Sequence, residues 1–291
     1  MKDIPARRAG FRKVLASPET VILPSVYDAI SARVVENAGF DIALMSGSVS
    51  AASLLGVPDL ILVTMTEIAG LAKRLVDATS LAIYVDADHG FGNALNVMRC
   101  VQELEAAGIA AMTLEDTDLP KPYGAKGPSA ISIKEMCGKL KAAVAAREDP
   151  SLVIIGRTDT LRYTNMDDAL ERARAYQDTG VDAIFLPGAQ TREELEMIRE
   201  AIDLPLINSG LPKAENGKSG LQILQECGFS LALMAAQPAR IVVQALHEAV
   251  SHLKDNGEFG PYAERMCSKE MFDGLIHSQE YGDYRKRFME E

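Results

Sequence analysis

The sequence predicts an α/β fold, a (β/α)8 TIM-type barrel with further helices toward the C-terminal end of the chain. Eight short apolar segments alternate with eight helical patterns over the 291 residues. One glycine-containing phrase also recurs where a helix leads into the next apolar segment. Eight such alternations favour a closed barrel over the alternative, an open doubly wound sheet.

The apolar segments predict eight strands of four to six residues. They show little polar alternation, which is typical of parallel strands that are covered on both faces. In chain order the predicted strands are Val21–Pro24, Ile42–Ser46, Leu81–Asp86, Ala111–Glu115, Leu152–Arg157, Ala183–Leu186, Pro205–Asn208 and Leu231–Ala235.

Helical patterns lie between the predicted strands. They cover Asp28–Ala38, Thr66–Ala78, Ala94–Ala107, Ile133–Arg147, Asp167–Thr179, Arg192–Ile202, Ser219–Cys227 and Ala239–Asp255. Four of them begin at or directly after a residue whose side chain is suited to capping a helix. These capping residues are Thr66, Asn93, Ser132 and Thr191.

The recurring phrase marks the passage from helix to strand. It reads NAGFDIALM, AAGIAAMTL, DTGVDAIFL and ECGFSLALM, starting at positions 37, 106, 178 and 226. In each copy a glycine ends the helix in the left-handed conformation. No linker interrupts the alternation, so we interpret residues 1–291 as one domain, with 256–291 as a helical extension. The extension carries six aromatic side chains, and we expect it to pack against another surface, such as a neighbouring subunit.

The charge balance argues against polyanionic partners. The chain has 30 Lys and Arg residues against 41 Asp and Glu residues, a formal net charge of −11. Because such a surface repels phosphate backbones and no basic patch is present, we expect no nucleic-acid partner. The apolar runs are too short to cross a bilayer, so no membrane partner is expected either. With no secretory signal and no CxxC pair, these features favour a cytoplasmic protein.

Charged side chains end three neighbouring strands, at the end of the barrel where such folds carry their active sites. Asp86 and Asp88 follow the third predicted strand, Glu115 ends the fourth and Arg157 ends the fifth. The three carboxylates are hard oxygen ligands of the kind that Mg²⁺ accepts while it keeps several waters. Arg157 is suited to binding a substrate carboxylate. A buried ion-pair network between Arg157 and these acids is the structural alternative, which spacing alone leaves open.

Four blocks of the chain resemble, in order, the isocitrate lyase/phosphoenolpyruvate mutase superfamily. The blocks are SGSVSA with GVPD at 46–59, DADHGFGN at 86–93, LED at 114–116 and GRTD at 156–159. The resemblance runs from about residue 20 to residue 250. It implies a barrel whose eighth helix is exchanged between subunits of a homo-oligomer, a dimer of dimers. It also implies a small anionic carboxylate substrate bound with Mg²⁺, or with Mn²⁺ in its place.

The resemblance implies a role for each matching acid and base. Asp86 resembles the direct Mg²⁺ ligand, whereas Asp88 and Glu115 resemble ligands that act through water. Arg157 matches the residue that holds the substrate carboxylate, and Asp59 matches an acid close to the substrate.

A second group of residues is expected to bind the substrate. Ser46, Gly47 and Ser48 match a loop whose backbone N–H groups hold the substrate carboxylate and the developing oxyanion. Asn208, at the end of the seventh predicted strand, is a further substrate-binding candidate. Preorganised donors of this kind stabilise an enolate oxygen as its charge develops.

The segment after the fourth strand departs from the lyases of the superfamily. Those enzymes carry a cysteine in a PKxCGH-like segment, whereas this chain reads PKPYGA at 120–125, with Tyr123 in the cysteine's place. The lyases' Glu after the sixth strand is Pro187-Gly188 here, and the Asn-Ser and His typical of phosphonate-forming mutases are missing. The oxaloacetate decarboxylase-like branch remains closest, although its His near the eighth strand is replaced by Ala235-Ala236-Gln237.

We therefore predict Mg²⁺-dependent C–C bond cleavage of a small 2-oxo or 2-hydroxy dicarboxylate through an enolate, with oxaloacetate decarboxylation as the leading reaction. The candidate catalytic residues are Asp59, Tyr123 and Arg157, and Tyr123 or a water would supply the proton to carbon. The Pro- and Gly-rich segment Asp118–Ala130 is predicted to be a mobile lid. The alternatives are a 2-methylisocitrate- or dimethylmalate-type lyase, a phosphonomutase and a non-enzymatic scaffold.

Overall fold

The computed structural model describes residues 3–290 and confirms the predicted (β/α)8 barrel. Its eight strands are all parallel and follow the order β1-β8-β7-β6-β5-β4-β3-β2. A single parallel bridge between Ser25 and Leu44 closes the seam between β1 and β2. The strands are β1 Val21–Pro24, β2 Ile42–Met45, β3 Ala82–Asp86, β4 Ala111–Glu115, β5 Val153–Arg157, β6 Ala183–Phe185, β7 Leu206–Ser209 and β8 Phe229–Met234.

Helices lie between the strands and beyond the last one. They are α1 Ile4–Leu15, α2 Ala29–Asn37, α3 Gly47–Leu55, α4 Met65–Ala78, α5 Ala94–Ala107, α6 Ile133–Ala146, α7 Met166–Gln177, α8 Arg192–Ala201, α9 Gly220–Glu226, α10 Gln237–Asn256, α11 Lys269–Leu275 and α12 Ser278–Arg285. Every predicted strand and helix is present, with its ends within two residues of the prediction. Among residues 3–290, no helix combines the length and the apolar character that crossing a bilayer requires.

One predicted helix cap is wrong. Thr64, not Thr66, caps α4: its hydroxyl accepts a hydrogen bond from the Glu67 N–H at 3.3 Å, and the Glu67 carboxylate accepts one from the Thr64 N–H at 2.8 Å. This reciprocal pair satisfies two donors that the start of a helix otherwise leaves unpaired. The cap belongs at Thr64 because the reciprocal glutamate lies three residues later.

Helices α1 and α3 are absent from the sequence prediction. Helix α1 is capped by Asp3, whose carboxylate accepts a hydrogen bond from the Ala6 N–H at 3.0 Å. It closes the N-terminal end of the barrel, where the fully buried Phe11 meets Tyr84 edge-on at 6.0 Å between ring centroids. Helix α3 begins directly after β2 and places residues 47–55 beside the carboxyl end of the barrel.

The apolar strand residues pack into two layers, as parallel strands covered on both faces should. Alternate side chains fill the barrel interior, including Leu44, Tyr84 and Ile155. Their neighbours, such as Ile83 and Ile154, pack outward against the surrounding helices. The rigid sheet therefore fixes the positions of the residues that end each strand.

Helix α10 follows β8 but buries none of its residues. Its side chains Ile241, Val243 and Leu246 are among the exposed large hydrophobic groups. Beyond α10, the extension consists of short helices, and the carbonyl of the buried Leu275 accepts a hydrogen bond from Arg33 at 2.7 Å. The single-domain interpretation stays a prediction, and Met1, Lys2 and Glu291 lie outside the described residues.

Candidate active site

The carboxyl ends of β3, β4 and β5 surround a pocket of about 330 Å³. Larger grooves lie elsewhere, but this pocket collects the charged residues that end the strands. It is lined by Asp59, Ile61, Asp86, Asp88, Glu115, Thr117, Leu119, Pro128, Arg157, Asp159, Arg162 and Tyr163. The structure thus brings together all the predicted metal ligands and two of the three predicted catalytic residues.

Arg157 lies at the centre of this cluster. Its guanidinium group contacts Asp86 at 3.1 Å, Glu115 at 2.9 Å and Asp159 at 2.6 Å. Burial opposes the charged form of Arg157, but the acids around it hold its pKa well above the ordinary value. The ion-pair network that the sequence left open is therefore present, and it ties the ends of β3, β4 and β5 together.

Negative charge exceeds positive charge in the pocket. Burial, followed by the charges of Asp86 and Glu115, raises the pKa of Asp88 well above its ordinary value. Burial raises the pKa of Glu115 to about 7, although Arg157 acts in the opposite direction. Asp59, at the exposed rim, also has a raised pKa because its carboxyl group is partly desolvated and faces Asp86. These carboxylates would gain stability from an added cation.

The donor chemistry of the cluster fits a Mg²⁺ ion. Asp86, Asp88 and Glu115 supply carboxylate oxygens, and Mg²⁺ is usually held by one or two carboxylates, waters and substrate oxygens rather than by a closed protein cage. As the side chains stand, no group of three or more His, Cys, Asp or Glu residues among residues 3–290 is arranged to hold a metal ion. Arg157 instead reaches between Asp86 and Glu115.

Ser46, Gly47 and Ser48 form the start of helix α3, so the expected loop is corrected to a helix N-terminus. The N–H groups in the first turn of a helix have no intrahelical partner and are suited to binding an anion. The Ser46 side chain makes no capping hydrogen bond, and its hydroxyl lies 3.1 Å from that of Ser48. A Cβ on Gly47 would lie 2.7 Å from Oδ1 of Asp88. Only glycine therefore lets this carboxylate approach the helix so closely.

Five predicted site residues lie outside the pocket lining: Ser46, Gly47 and Ser48, which adjoin it beside Asp88, and also Tyr123 and Asn208. Tyr123 is fully exposed at a turn where the Ala125 N–H donates to the Pro122 carbonyl at 3.1 Å. Asn208 is completely buried, and its amide donates to the Gly210 carbonyl at 3.4 Å. The structure therefore does not bring Tyr123 or Asn208 to the acidic cluster, because the turn holds one outward and the barrel packing holds the other inside.

The predicted lid contributes to the pocket wall. The base of the Asp118–Ala130 segment is paired, since the Asp118 N–H donates to the Ser129 carbonyl at 2.8 Å. Leu119 and Pro128, one from each arm, line the pocket. The segment is thus anchored at both ends beside the acidic cluster, and its mobility stays a prediction.

The sequence reasoning missed several lining residues. Asp159 accepts two hydrogen bonds from Arg157 and one from Arg162, and these partners lower its pKa although burial acts to raise it. Its place in the GRTD block was the available signal. Tyr163 lies in the turn after β5, and its buried hydroxyl has no hydrogen-bond partner in the described part of the chain. No sequence pattern marked Tyr163 or Ile61.

Comparison with known proteins identifies the class of enzyme. A family model described as phosphoenolpyruvate phosphomutase matches residues 11–254, and the chain belongs to this family. The chain is 43% identical in sequence to an oxaloacetate decarboxylase of Rhodopseudomonas palustris, and the alignment covers 97% of each of the two chains.

Two solved structures show the same architecture. A phosphoenolpyruvate phosphomutase from Streptomyces platensis subsp. rosaceus is 29% identical, with a TM-score of 0.87 over 97% of this chain and 99% of that one. A phosphonopyruvate hydrolase, solved as a complex with oxalate and Mg²⁺, is 25% identical, with a TM-score of 0.87 over 97% and 99%. The barrel of this chain therefore occurs in a family of enzymes, one of which was solved with the small anion oxalate.

Proposed function

We propose that this enzyme decarboxylates oxaloacetate, with Mg²⁺ or Mn²⁺ as its cofactor. The observation that carries the proposal is the cluster of Asp86, Asp88 and Glu115 around Arg157 at the carboxyl end of the barrel. A relative that is 43% identical over almost the whole chain bears the name oxaloacetate decarboxylase. A structural neighbour bound oxalate together with Mg²⁺, which supports an anionic carboxylate ligand and a divalent cation.

The proposed metal ligands are Asp86 directly, with Asp88 and Glu115 acting through water. A bound Mg²⁺ supplies positive charge that stabilises the oxygen on which negative charge develops. The chain's own residues then bind and orient the substrate. Arg157 exchanges one of its present carboxylate partners for a substrate carboxylate, with which a guanidinium group forms a two-pronged contact. The first-turn N–H groups of Ser46–Ser48 face the negative charge that develops during the reaction.

The reaction breaks the bond between C3 and the C4 carboxylate of oxaloacetate. The electron pair of that bond moves into the C2–C3 bond as CO₂ leaves, which gives the enolate of pyruvate. A proton then adds to C3. Because Tyr123 is fully exposed, we assign this proton to a water in the pocket. Asp59 lines the same pocket and keeps its predicted role as an acid close to the substrate.

The test is product formation from oxaloacetate. Purified enzyme with Mg²⁺ should produce pyruvate and CO₂ faster than the same concentration of Mg²⁺ alone, as followed by NMR. No rate above the metal-only background would refute the proposal. A panel of 2-methylisocitrate, dimethylmalate and phosphonopyruvate, run in parallel, tests the lyase and phosphonomutase alternatives. Faster cleavage of any of these would replace decarboxylation as the proposed reaction.

We also propose that a second copy of the chain covers helix α10, in a homo-oligomer. The helix buries no residue of its own, and its exposed apolar side chains face a groove of about 950 Å³ whose other wall is α3. Contiguous exposed apolar surface of this kind marks an interaction site. Light scattering should give a mass of at least twice the 31.4 kDa of one chain. Replacement of Ile241 and Val243 by Asp should yield monomers, and a wild-type monomer would refute this assembly.

A further inference from the structure

Two pocket residues, Asp88 and Ile61, have a positive φ, and the strain is greater at Ile61 because aspartate adopts this region more readily. Ile61 has a φ of +58°, in the left-handed region where a β-branched side chain is a genuine outlier. The Cβ atom of an L-residue there approaches the following carbonyl oxygen too closely. Strain of this kind persists only where the surroundings enforce it, and it clusters at functional sites.

The ends of the segment around Ile61 are fixed. Before it, Gly56 ends α3 in the left-handed conformation. After it, the reciprocal pair between Thr64 and Glu67 starts α4. Between these two points the turn leaves Leu60 and Leu62 more than half exposed, whereas Ile61 is partly buried and lines the pocket with Asp59. The strained conformation therefore directs one apolar side chain, out of three in a row, into the site.

The pocket lining has a small apolar section. Most of its residues are charged or carry a hydroxyl group, and the aliphatic exceptions are Ile61, Leu119 and Pro128. Arg157, Arg162 and a cation held by the acids are the natural partners of the substrate's carboxylates and ketone oxygen. The C3 carbon is the part of a 2-oxo dicarboxylate that carries no oxygen. We therefore expect C3 to lie against the apolar section of the pocket wall.

We propose that Ile61 is a specificity-determining residue, which limits the pocket to 2-oxo dicarboxylates that carry no bulky group at C3. The inference rests on the proposed function and extends it by naming the substrate class. A branched side chain held in a strained turn cannot easily withdraw, since its χ1 torsion is stiff and both ends of its loop are anchored. A substituent on C3 would meet this side chain within a pocket of about 330 Å³.

The test uses non-reacting 2-hydroxy analogues, so that it does not depend on turnover. Malate and 3-isopropylmalate differ by one branched group at C3, and calorimetry with Mg²⁺ gives the dissociation constant for each. Wild type should bind 3-isopropylmalate at least about 10-fold more weakly than malate. Ile61→Gly and Ile61→Ala should each reduce that preference by about 10-fold or more. Leu60→Ala, an exposed neighbour in the same loop, serves as the matched control and should keep the wild-type preference.

Thermal stability separates the backbone effect from the steric one. Glycine accepts the left-handed conformation and alanine does not, so Ile61→Gly should melt about 2 °C above Ile61→Ala. Equal preferences in wild type and both Ile61 variants would overturn the proposal, as would equal binding of both analogues by wild type. Oxaloacetate turnover is measured on the same preparations. If there is none, decarboxylation is refuted, whereas the ratio of the two dissociation constants still tests the role of Ile61.

Discussion

The two ends of the barrel both carry buried arginines, yet their charges are balanced differently. At the N-terminal end, Arg8 donates to the Ile109 carbonyl at 2.9 Å and to Asp149 at 2.7 Å. Hydrogen bonds from Ser151, followed by those from Arg8, lower the pKa of Asp149 to about 2. At the carboxyl end, burial raises the pKa of Glu115 to about 7 despite its contact with Arg157.

The count of charges explains this contrast. Three arginines meet three acids at the N-terminal end: Arg8, Arg12 and Arg147 with Glu105, Asp149 and Asp182. Two arginines meet five acids around the pocket: Arg157 and Arg162 with Asp59, Asp86, Asp88, Glu115 and Asp159. The first set is satisfied by the protein alone and stabilises the closure of the barrel by α1. The second set leaves negative charge for a ligand to neutralise, which is typical of a functional site.

The largest expected effect comes from removing one acid at each end. Asp86→Asn should lower turnover by about 1,000-fold, because it removes the proposed direct metal ligand. Asp149→Asn makes the same chemical change at the other end and should leave the kcat of the folded enzyme within about twofold of wild type. Steady-state kinetics with oxaloacetate measure both. Full activity of Asp86→Asn would contradict the claim that the acids at the carboxyl end of the barrel, unlike those at the N-terminal end, serve the reaction.

Removing an arginine at the N-terminal end should affect stability instead. Arg8→Met removes the ion pairs of Arg8 with Glu105 and Asp149 and should lower the free energy of unfolding by about 3–5 kcal/mol. Urea denaturation followed by circular dichroism measures this loss. The kcat of the remaining folded protein should not change, and a large loss of kcat at full stability would show that the N-terminal cluster contributes to catalysis.

The two ends should also respond to pH in opposite ways. The pKa of Glu115 is about 7 in the folded state against an ordinary 4.5. Ionisation of Glu115 therefore lowers the free energy of unfolding as pH rises from about 4.5 to about 7. The pKa of Asp149 is about 2 against 3.8, so its stabilisation is complete above 3.8 and is lost as pH falls through 2.

Thermal melts across pH in the presence of EDTA test this difference. Glu115→Gln should reduce the decline between pH 4.5 and 7, to which Asp88 also contributes, whereas Asp149→Asn should flatten only the acid side of the profile. A wild-type profile that rises steadily from pH 4.5 to 7, and that Glu115→Gln leaves unchanged, would contradict the raised pKa of Glu115.

The smallest effects are expected from two glycines. A Cβ on Gly47 would meet Asp88, whereas one on Gly10 in α1 would have no atom within 4 Å. Gly10→Ala should therefore stabilise the protein by about 0.5–1 kcal/mol with no change in activity. Gly47→Ala should weaken Mg²⁺ binding by about 10-fold, as calorimetry would show. Equal effects of both substitutions on Mg²⁺ affinity would show that the approach of Asp88 to α3 is unimportant.

The sequence predicted the barrel and much of the acidic cluster for physical reasons. Apolar strands buried on both faces leave a clear pattern, and Asp86, Glu115 and Arg157 each end such a strand. The direction of a side chain beyond the strand is set by packing, so Asn208 turned out to be buried and Tyr123 exposed. The conformation of Ile61 could not be predicted from the sequence either. Its φ of +58° opposes the local preference of isoleucine and is imposed by the surrounding fold.

The most direct test of the charge imbalance is a calorimetric titration of oxalate into the enzyme with and without Mg²⁺. We expect wild type to bind oxalate at one site per chain when Mg²⁺ is present, with little heat when it is absent. Asp86→Asn should lose this metal-dependent binding, while Asp149→Asn should keep it. Oxalate binding by wild type that does not depend on Mg²⁺, or the same binding by Asp86→Asn, would contradict a cation site at the carboxyl end of the barrel.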